Sequence, residues 1–122
     1  MYILIGDDQP KVRSALRLLL EQEPGLSVIG ESTDAQDVLA QVTTTCPDLV
    51  LLDWELPGIQ SRSNLIVTLR ALCPRLRVVV LSGRSEMRDA ALTAGADTFV
   101  SKGDPPEGLL AILHAVCVGG EK

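Results

Sequence analysis

Aromatic residues are scarce in this sequence, and clusters of basic residues are missing. The 122 residues include one tyrosine, one tryptophan and one phenylalanine, and the formal net charge is −5. Domains that bind nucleic acid directly need a basic patch and often use aromatic side chains that stack on bases. We therefore expect no direct nucleic-acid contact from this domain.

Long apolar runs are missing too. A membrane-spanning helix needs about 20 consecutive apolar residues, and no stretch of the sequence approaches that length. The chain begins with strand-like sequence rather than with the basic and apolar regions of a signal peptide. We expect a cytoplasmic protein without membrane contact, with one domain over residues 1–122. The final Gly119-Gly120-Glu121-Lys122 resembles the start of a linker and slightly favours a piece of a longer chain.

The three cysteines form an odd set without the Cys-x-x-Cys spacing of metal sites and redox motifs. They are Cys46, Cys73 and Cys117. Because thiols in the cytoplasm stay reduced, we expect three reduced and mostly buried thiols.

Strand-length apolar runs alternate with segments of helical spacing five times along the chain. The predicted strands are residues 2–5, 27–30, 49–52, 77–81 and 98–100. Apolar residues at three- and four-residue intervals predict helices over residues 10–24, 34–46, 63–73, 85–95 and 105–120. Strict alternation with nearly continuous apolar strands predicts an α/β fold, a five-stranded parallel sheet with helices on both faces.

Polar residues follow four of the predicted strands. Asp7 and Asp8 follow the first strand, Asp53 the third, Ser82 the fourth and Lys102 the fifth. Functional groups in open parallel sheets gather beyond the carboxyl ends of the strands, so we expect these side chains at one rim. Asp53 ends an apolar run, where an unpaired charge is costly unless a partner compensates it.

Three carboxylates at one rim predict a metal site. At about 5 Å apart they repel one another by about 3 kcal/mol per pair, and one lysine cannot neutralise three negative charges. Mg²⁺ removes this repulsion because it prefers oxygen ligands. An ionised aspartate beside the metal, with an ammonium and a hydroxyl to receive developing charge, can attack phosphorus and form an acyl phosphate.

Four sequence motifs occur in order along the chain: the Asp7-Asp8 pair, Asp53 in Asp-x-x-x-Pro-Gly, Ser82-Gly83 and Phe99-x-x-Lys102. Together they resemble the receiver domain of two-component response regulators. The resemblance covers essentially the whole chain. The segments PDLVLLD, VVVLSG and AGADTFVSK are most similar to the class with a C-terminal helix-turn-helix DNA-binding domain. The resemblance implies a flavodoxin-like, doubly wound sheet with strand order 2-1-3-4-5 and five helices.

The resemblance also implies which residues bind the metal. Asp53 would accept a phosphoryl group from a sensor histidine kinase or from a small acyl phosphate. Asp8 and Asp53 would bind Mg²⁺ directly, and Glu55 would contribute its backbone carbonyl. Asp7 would act mainly through water. No organic cofactor is implied.

The remaining implied roles concern the switch. Lys102 and the Ser82 hydroxyl would each bind a phosphoryl oxygen, and Phe99 would turn inward as Ser82 moves. The domain would then change its binding surface, commonly by forming a homodimer, and control transcription through an output domain absent from this chain. It would catalyse only its own phosphorylation and dephosphorylation, not the turnover of a separate substrate.

Simpler explanations exist for individual residues. The Asp7-Asp8 pair can cap the first helix, and Asp53 can open a type I turn before Pro57-Gly58. A loop lysine such as Lys102 is usually solvated. Trp54 either packs in the core or covers the acidic site, and Phe99 belongs inside or in a partner's interface.

The residues that flank the predicted phosphoryl site suggest one further hypothesis. Glu55 and Arg84 each lie two positions past a motif residue and carry opposite charges. We expect them to pair over the phosphoryl group and to slow its hydrolysis, with a pair energy of about 1 kcal/mol or less.

Three alternative functions remain open at the level of the sequence. A flavodoxin-like cofactor binder would need a phosphate-binding loop after the first strand, where Asp7 and Asp8 would repel phosphate. A metal-dependent phosphatase would need Asp-x-Asp at one strand end, which Asp53-Trp54-Glu55 matches only approximately. A stand-alone receiver that regulates a protein partner would share every motif described above.

Overall fold

The computed structural model describes the backbone of residues 1–120 and the side chains of residues 1–116. Five strands form one parallel sheet in the order β2-β1-β3-β4-β5, which confirms the predicted fold and order. The strands are β1 (Tyr2–Gly6), β2 (Ser27–Ser32), β3 (Leu49–Asp53), β4 (Arg77–Ser82) and β5 (Thr98–Ser101). Every residue of β3 is buried because the strand is central and both faces are covered by helices.

Five helices connect and cover the strands. They are α1 (Pro10–Glu21), α2 (Ala35–Thr45), α3 (Arg62–Leu72), α4 (Arg88–Thr93) and α5 (Pro106–Gly120). Residues of α2, α3 and α4 pack with one face of the sheet in one apolar cluster, and residues of α1 and α5 pack with the other face in a second cluster. None of the helices in the described part of the chain is long and apolar enough to cross a membrane.

Local sequence sets the ends of these helices. The Asp34 side chain accepts a 2.8 Å hydrogen bond from the Asp37 amide and caps α2. The first helix ends at Glu21, before the predicted end, because Pro24 disfavours helical backbone in the residue that precedes it. The fourth helix is shorter than predicted, since Ser85–Met87 form a 3-10 turn before α4 begins.

The expectation of reduced thiols is wrong for two of the three cysteines. Cys46 and Cys73 form a disulfide, with their Cα atoms 5.8 Å apart. Each is the C-cap of a helix, α2 or α3, and each precedes a proline and a strand. Because β3 and β4 are neighbours, the two helix exits lie side by side. The Cys117 side chain lies outside the described residues.

Candidate functional site

Three carboxylates meet at the carboxyl ends of β1 and β3. Asp7 and Asp8 follow β1, and Asp53 is the last residue of β3, which pairs directly with β1. One oxygen from each carboxylate lies within 4.8 Å of the others. The Asp7 and Asp53 side chains are buried, whereas Asp8 is exposed. The strand order therefore brings Asp53 next to Asp7 and Asp8, although they lie far apart in the sequence. We call these three carboxylates the acidic pocket.

Lys102 borders this acidic pocket from β5. Its Nζ lies 2.8 Å from Asp7 Oδ2 and 3.4 Å from Asp53 Oδ1. Its amide donates a 2.8 Å hydrogen bond to the Ser82 carbonyl, which fixes the backbone after β5 against β4. Lys102 is therefore not a solvated loop residue.

Asp7 keeps one carboxylate oxygen free of hydrogen bonds. Its Oδ1 accepts a 2.9 Å hydrogen bond from the Gln9 amide. Its Oδ2 is buried, and the nearby Lys102 ammonium forms an ion pair with it but no well-aligned hydrogen bond. Neither Asp7 nor Asp8 is the N-cap of α1, because Gln9 occupies that position. The local capping explanation thus accounts for one oxygen of Asp7 and leaves the other for a ligand.

The donor set fits a hard divalent cation. All three side chains offer carboxylate oxygens, which Mg²⁺ prefers. One of these oxygens, Asp7 Oδ2, is buried, and its nearest cation is the Lys102 ammonium at 2.8 Å. One ammonium cannot offset three carboxylates, whereas a divalent cation bound to them would. The residues present could therefore hold Mg²⁺.

Burial raises the pKa of Asp53 above its usual value, and the charge of Asp7 adds to this effect. The Glu55 amide, which donates to Asp53 Oδ1 at 3.0 Å, and the Lys102 charge act in the opposite direction but do not cancel it. Burial alone would lower the pKa of Lys102, but its contacts with Asp7 and Asp53 raise it above the usual value. Lys102 thus stays protonated at neutral pH, and a bound cation would favour the ionised form of Asp53 by opposing the effect of burial on its pKa.

Asp53 also serves the turn that follows it. The Leu56 amide donates to the Asp53 carbonyl at 3.1 Å, and the Glu55 amide donates to the Asp53 side chain. Asp53 therefore does begin a turn before Pro57-Gly58, as the simpler explanation expects. The turn does not explain why the carboxylate is buried beside Asp7 and Lys102.

Ser82 lies at the same rim, at the end of β4, and is fully buried. Its hydroxyl donates to the Glu55 carboxylate at 3.0 Å and accepts from the Arg84 amide at 3.0 Å. The structure thus places Ser82 beside the acidic pocket with its proton directed at Glu55. Sequence reasoning assigned Glu55 a backbone role at the metal and a side-chain partner in Arg84, and it missed the contact with Ser82.

Glu55 and Arg84 do not pair with each other in this structure, and their pairing over a phosphoryl group stays a prediction. Among the described residues Glu55 forms no ion pair, and Arg84 Nε lies 3.4 Å from Glu86 Oε1. The Arg84 guanidinium turns along its own 3-10 turn toward Glu86 and Met87. The Glu55 carboxylate instead accepts a hydrogen bond from the buried Ser82 hydroxyl.

Three arginines that the sequence analysis did not single out contact residues in or near the site. The Arg13 guanidinium donates to the Asp7 carbonyl at 2.8 Å. Arg62 lies over the buried Trp54 ring at 5.1 Å, so Trp54 packs in the core rather than covering the pocket. Arg88 lies 5.2 Å from the Phe99 ring centroid.

Phe99 is 1% exposed and is therefore inside, one of the two places expected for it. Of the arginines, only Arg13 had a usable signal, because it lies in the first turn of the helix that follows the Asp7-Asp8 pair.

Comparison with known proteins shows that this sequence is similar to response regulators. Residues 3–114 match the model of the response regulator receiver domain family. The nitrate/nitrite response regulator protein NarL of Escherichia coli K12 is 32% identical over 118 residues, which are 96% of this chain and 55% of NarL. The transcriptional activator protein ExaE of Pseudomonas putida is 36% identical over 123 residues, covering 98% of this chain and 56% of ExaE. The chain spans about half the length of these curated relatives.

Solved structures give the same result. A two-component response regulator of the LuxR family from Aurantimonas sp. SI85-9A1 aligns with a TM-score of 0.86 and 30% identity, covering 97% of this chain and 85% of that one. The isolated receiver domain of RcsB from Salmonella enterica serovar Typhimurium, solved with the phosphomimetic BeF3−, aligns with a TM-score of 0.88 and 26% identity over 98% and 89% of the two chains. This chain therefore belongs to the response regulator receiver domain family.

Proposed function

We propose that this domain is a phosphorylation switch whose phosphoacceptor is Asp53. The observation that carries the proposal is a buried carboxylate held 3.4 Å from the Lys102 ammonium and within 4.8 Å of two other carboxylates. A buried acid in such a cluster is costly for folding. Its presence at this position is explained if the carboxylate has to be ionised for a reaction.

The site residues would divide the work as follows. Asp8, Asp53 and the Glu55 carbonyl would hold Mg²⁺, and Asp7 would act through water. When bound, Mg²⁺ supplies positive charge that offsets the acidic pocket and the phosphoryl oxygens. One Asp53 carboxylate oxygen attacks phosphorus, the bond from phosphorus to the donor breaks, and the donor leaves with the electron pair. Lys102 then pairs with a phosphoryl oxygen.

The phosphoryl donor would be a phosphohistidine of a sensor histidine kinase or a small acyl phosphate. The new charge on Asp53 would draw Ser82 and Lys102 inward and shift α4, β5 and α5, with Phe99 responding to the movement of Ser82. Dimerisation through that face would follow. The relatives in the comparison are longer than this chain and include transcriptional regulators, which supports control of transcription through a separate output domain.

The remaining parts of the proposal concern the chain as a whole. Residues 1–122 would form the receiver domain alone, acting in the cytoplasm without direct contact to nucleic acid or membrane. The domain would act on no separate metabolite, since Asp53 is both the acceptor and the site from which the phosphoryl group is later hydrolysed. The net charge of −5 supports the absence of direct DNA binding by this domain.

Incubation with acetyl phosphate and Mg²⁺, followed by intact-mass measurement, tests the proposal. We expect one phosphoryl adduct that hydroxylamine removes, as it does for an acyl phosphate. Asp53→Asn should show no adduct. Asp104→Asn, which makes the same chemical change at an exposed position, should retain it. An adduct that persists in Asp53→Asn, or turnover of a phosphate ester, would contradict the proposal.

A further inference from the structure

The Ser82 hydroxyl is fully engaged in hydrogen bonds on the side of Glu55. It donates to Glu55 Oε1 at 3.0 Å, with Oε2 at 3.3 Å, and accepts from the Arg84 amide at 3.0 Å. Ser82 is buried, whereas Glu55 lies at the surface above it. A buried hydroxyl that donates to a carboxylate is held more firmly than one that faces a neutral acceptor.

This arrangement conflicts with the role proposed for Ser82. A hydroxyl has one proton to donate, and phosphoryl oxygens can only accept. Ser82 must therefore release Glu55 before it can bind a phosphoryl group on Asp53. Glu55 and the phosphoryl group are competing acceptors for the same proton.

We propose that Glu55 is a positioning residue that holds the Ser82 hydroxyl in the resting state and so opposes activation of the domain. This inference rests on the proposed function of Asp53. The main chain of Glu55 donates to Asp53 Oδ1 at 3.0 Å, while its side chain accepts from Ser82. One residue therefore contacts both the phosphoacceptor and the hydroxyl that responds to it.

The Arg84 amide links the Ser82 hydroxyl to the loop before α4, because it donates a hydrogen bond to Ser82 Oγ. A rotation of the Ser82 side chain that carries Oγ away toward Asp53 removes this hydrogen bond. Release of Glu55 thus loosens the backbone where the 3-10 turn Ser85–Met87 begins. Glu86 provides a matched control, since its exposed carboxylate contacts Arg84 Nε and, among the described residues, makes no hydrogen bond to Ser82.

Amide hydrogen exchange of Arg84, measured by NMR without Mg²⁺ or phosphoryl donor, tests the contact directly. Loss of one hydrogen bond of ordinary net strength predicts about fivefold faster exchange in Glu55→Ala. Glu86→Ala should leave the rate unchanged. Glu55→Gln removes the charge but keeps an oxygen that accepts the Ser82 proton, so its rate should lie between those of the wild type and Glu55→Ala. Equal rates in the wild type and Glu55→Ala would overturn the inference.

The rate of phosphorylation by acetyl phosphate tests whether the contact between Glu55 and Ser82 opposes activation. We expect Glu55→Ala to be labelled about fivefold faster than the wild type and the same substitution to have no effect in a Ser82→Ala background. A rate increase that persists in the Ser82→Ala background would assign the effect to charge repulsion and overturn the inference. Failure of the proposed function is a separate result, because it would appear as no adduct in the wild type, whereas the exchange measurement needs no phosphoryl donor.

Discussion

Replacing Asp53 by asparagine should stabilise the metal-free domain. Asp53 Oδ1 lies 3.4 Å from Lys102 Nζ, and its carboxylate lies within 4.8 Å of those of Asp7 and Asp8. At an effective dielectric of about 20, the attraction is about 5 kcal/mol and each repulsion is about 3.5 kcal/mol. Water screens exposed Asp8, but removing the charge also removes the desolvation cost of Asp53. We expect a net gain of about 1–2 kcal/mol.

The direction of the pKa shift agrees with this expectation. A carboxyl group whose folded-state pKa is raised contributes stability below its unfolded pKa, about 3.9, and loses that contribution as pH rises through the folded pKa. Ionised Asp53 therefore lowers the free energy of unfolding at neutral pH. The advantage of Asp53→Asn should be present at pH 7 and should shrink as the pH falls toward about 4.

Thermal unfolding in EDTA is the assay. For 122 residues, a gain of 1 kcal/mol corresponds to about 4 °C in Tm, so Asp53→Asn should unfold about 4–8 °C above the wild type. Asp104→Asn should leave Tm unchanged. Added Mg²⁺ should raise Tm of the wild type more than that of Asp53→Asn, because binding stabilises the folded state. A Tm of Asp53→Asn at or below that of the wild type in EDTA would refute this reasoning.

Three further predictions concern the disulfide, the buried Phe99 ring and the Lys102 ammonium. Reduction of the disulfide between Cys46 and Cys73, 27 residues apart, should lower the free energy of unfolding by about 3 kcal/mol in urea titrations, and Cys46→Ala should abolish the response to reductant. Phe99→Ala should cost about 3–5 kcal/mol by the same titration because the ring is buried; a cost below about 1 kcal/mol would contradict its place in the core. Lys102→Met should lower the rate of acetyl phosphate labelling at least about tenfold, and an unchanged rate would remove Lys102 from the site.

The sheet and the acidic pocket could be predicted because few alternatives fit the pattern. Apolar runs such as Leu49–Leu52 are continuous only when a strand is buried on both faces. Once the strands are parallel, their carboxyl ends share one rim, so Asp7 and Asp53 have to lie near each other. The parallel sheet and the acidic pocket depend on patterns that extend over many residues. The conformational preference of a single residue does not change them.

The features that escaped prediction depend on single side-chain choices. The Glu55 carboxylate accepts from the Ser82 hydroxyl, and Arg84 pairs with Glu86; the sequence pattern does not report which of these neighbours each side chain faces. The disulfide depends on the distance between the ends of α2 and α3, which no spacing in the sequence reports. The twin Cys-Pro exits at Cys46 and Cys73 were visible in the sequence, but their adjacency requires knowing that β3 and β4 are neighbours.

The most direct measurement is identification of the phosphorylated residue. After treatment with acetyl phosphate and Mg²⁺, borohydride reduces an aspartyl phosphate to homoserine, and peptide mass spectrometry locates the product. We predict homoserine at position 53 alone, formed with Mg²⁺ and not with EDTA. Homoserine at position 7 or 8, or equal modification in EDTA, would contradict the assignment of Asp53 as the phosphoacceptor of a magnesium-dependent site.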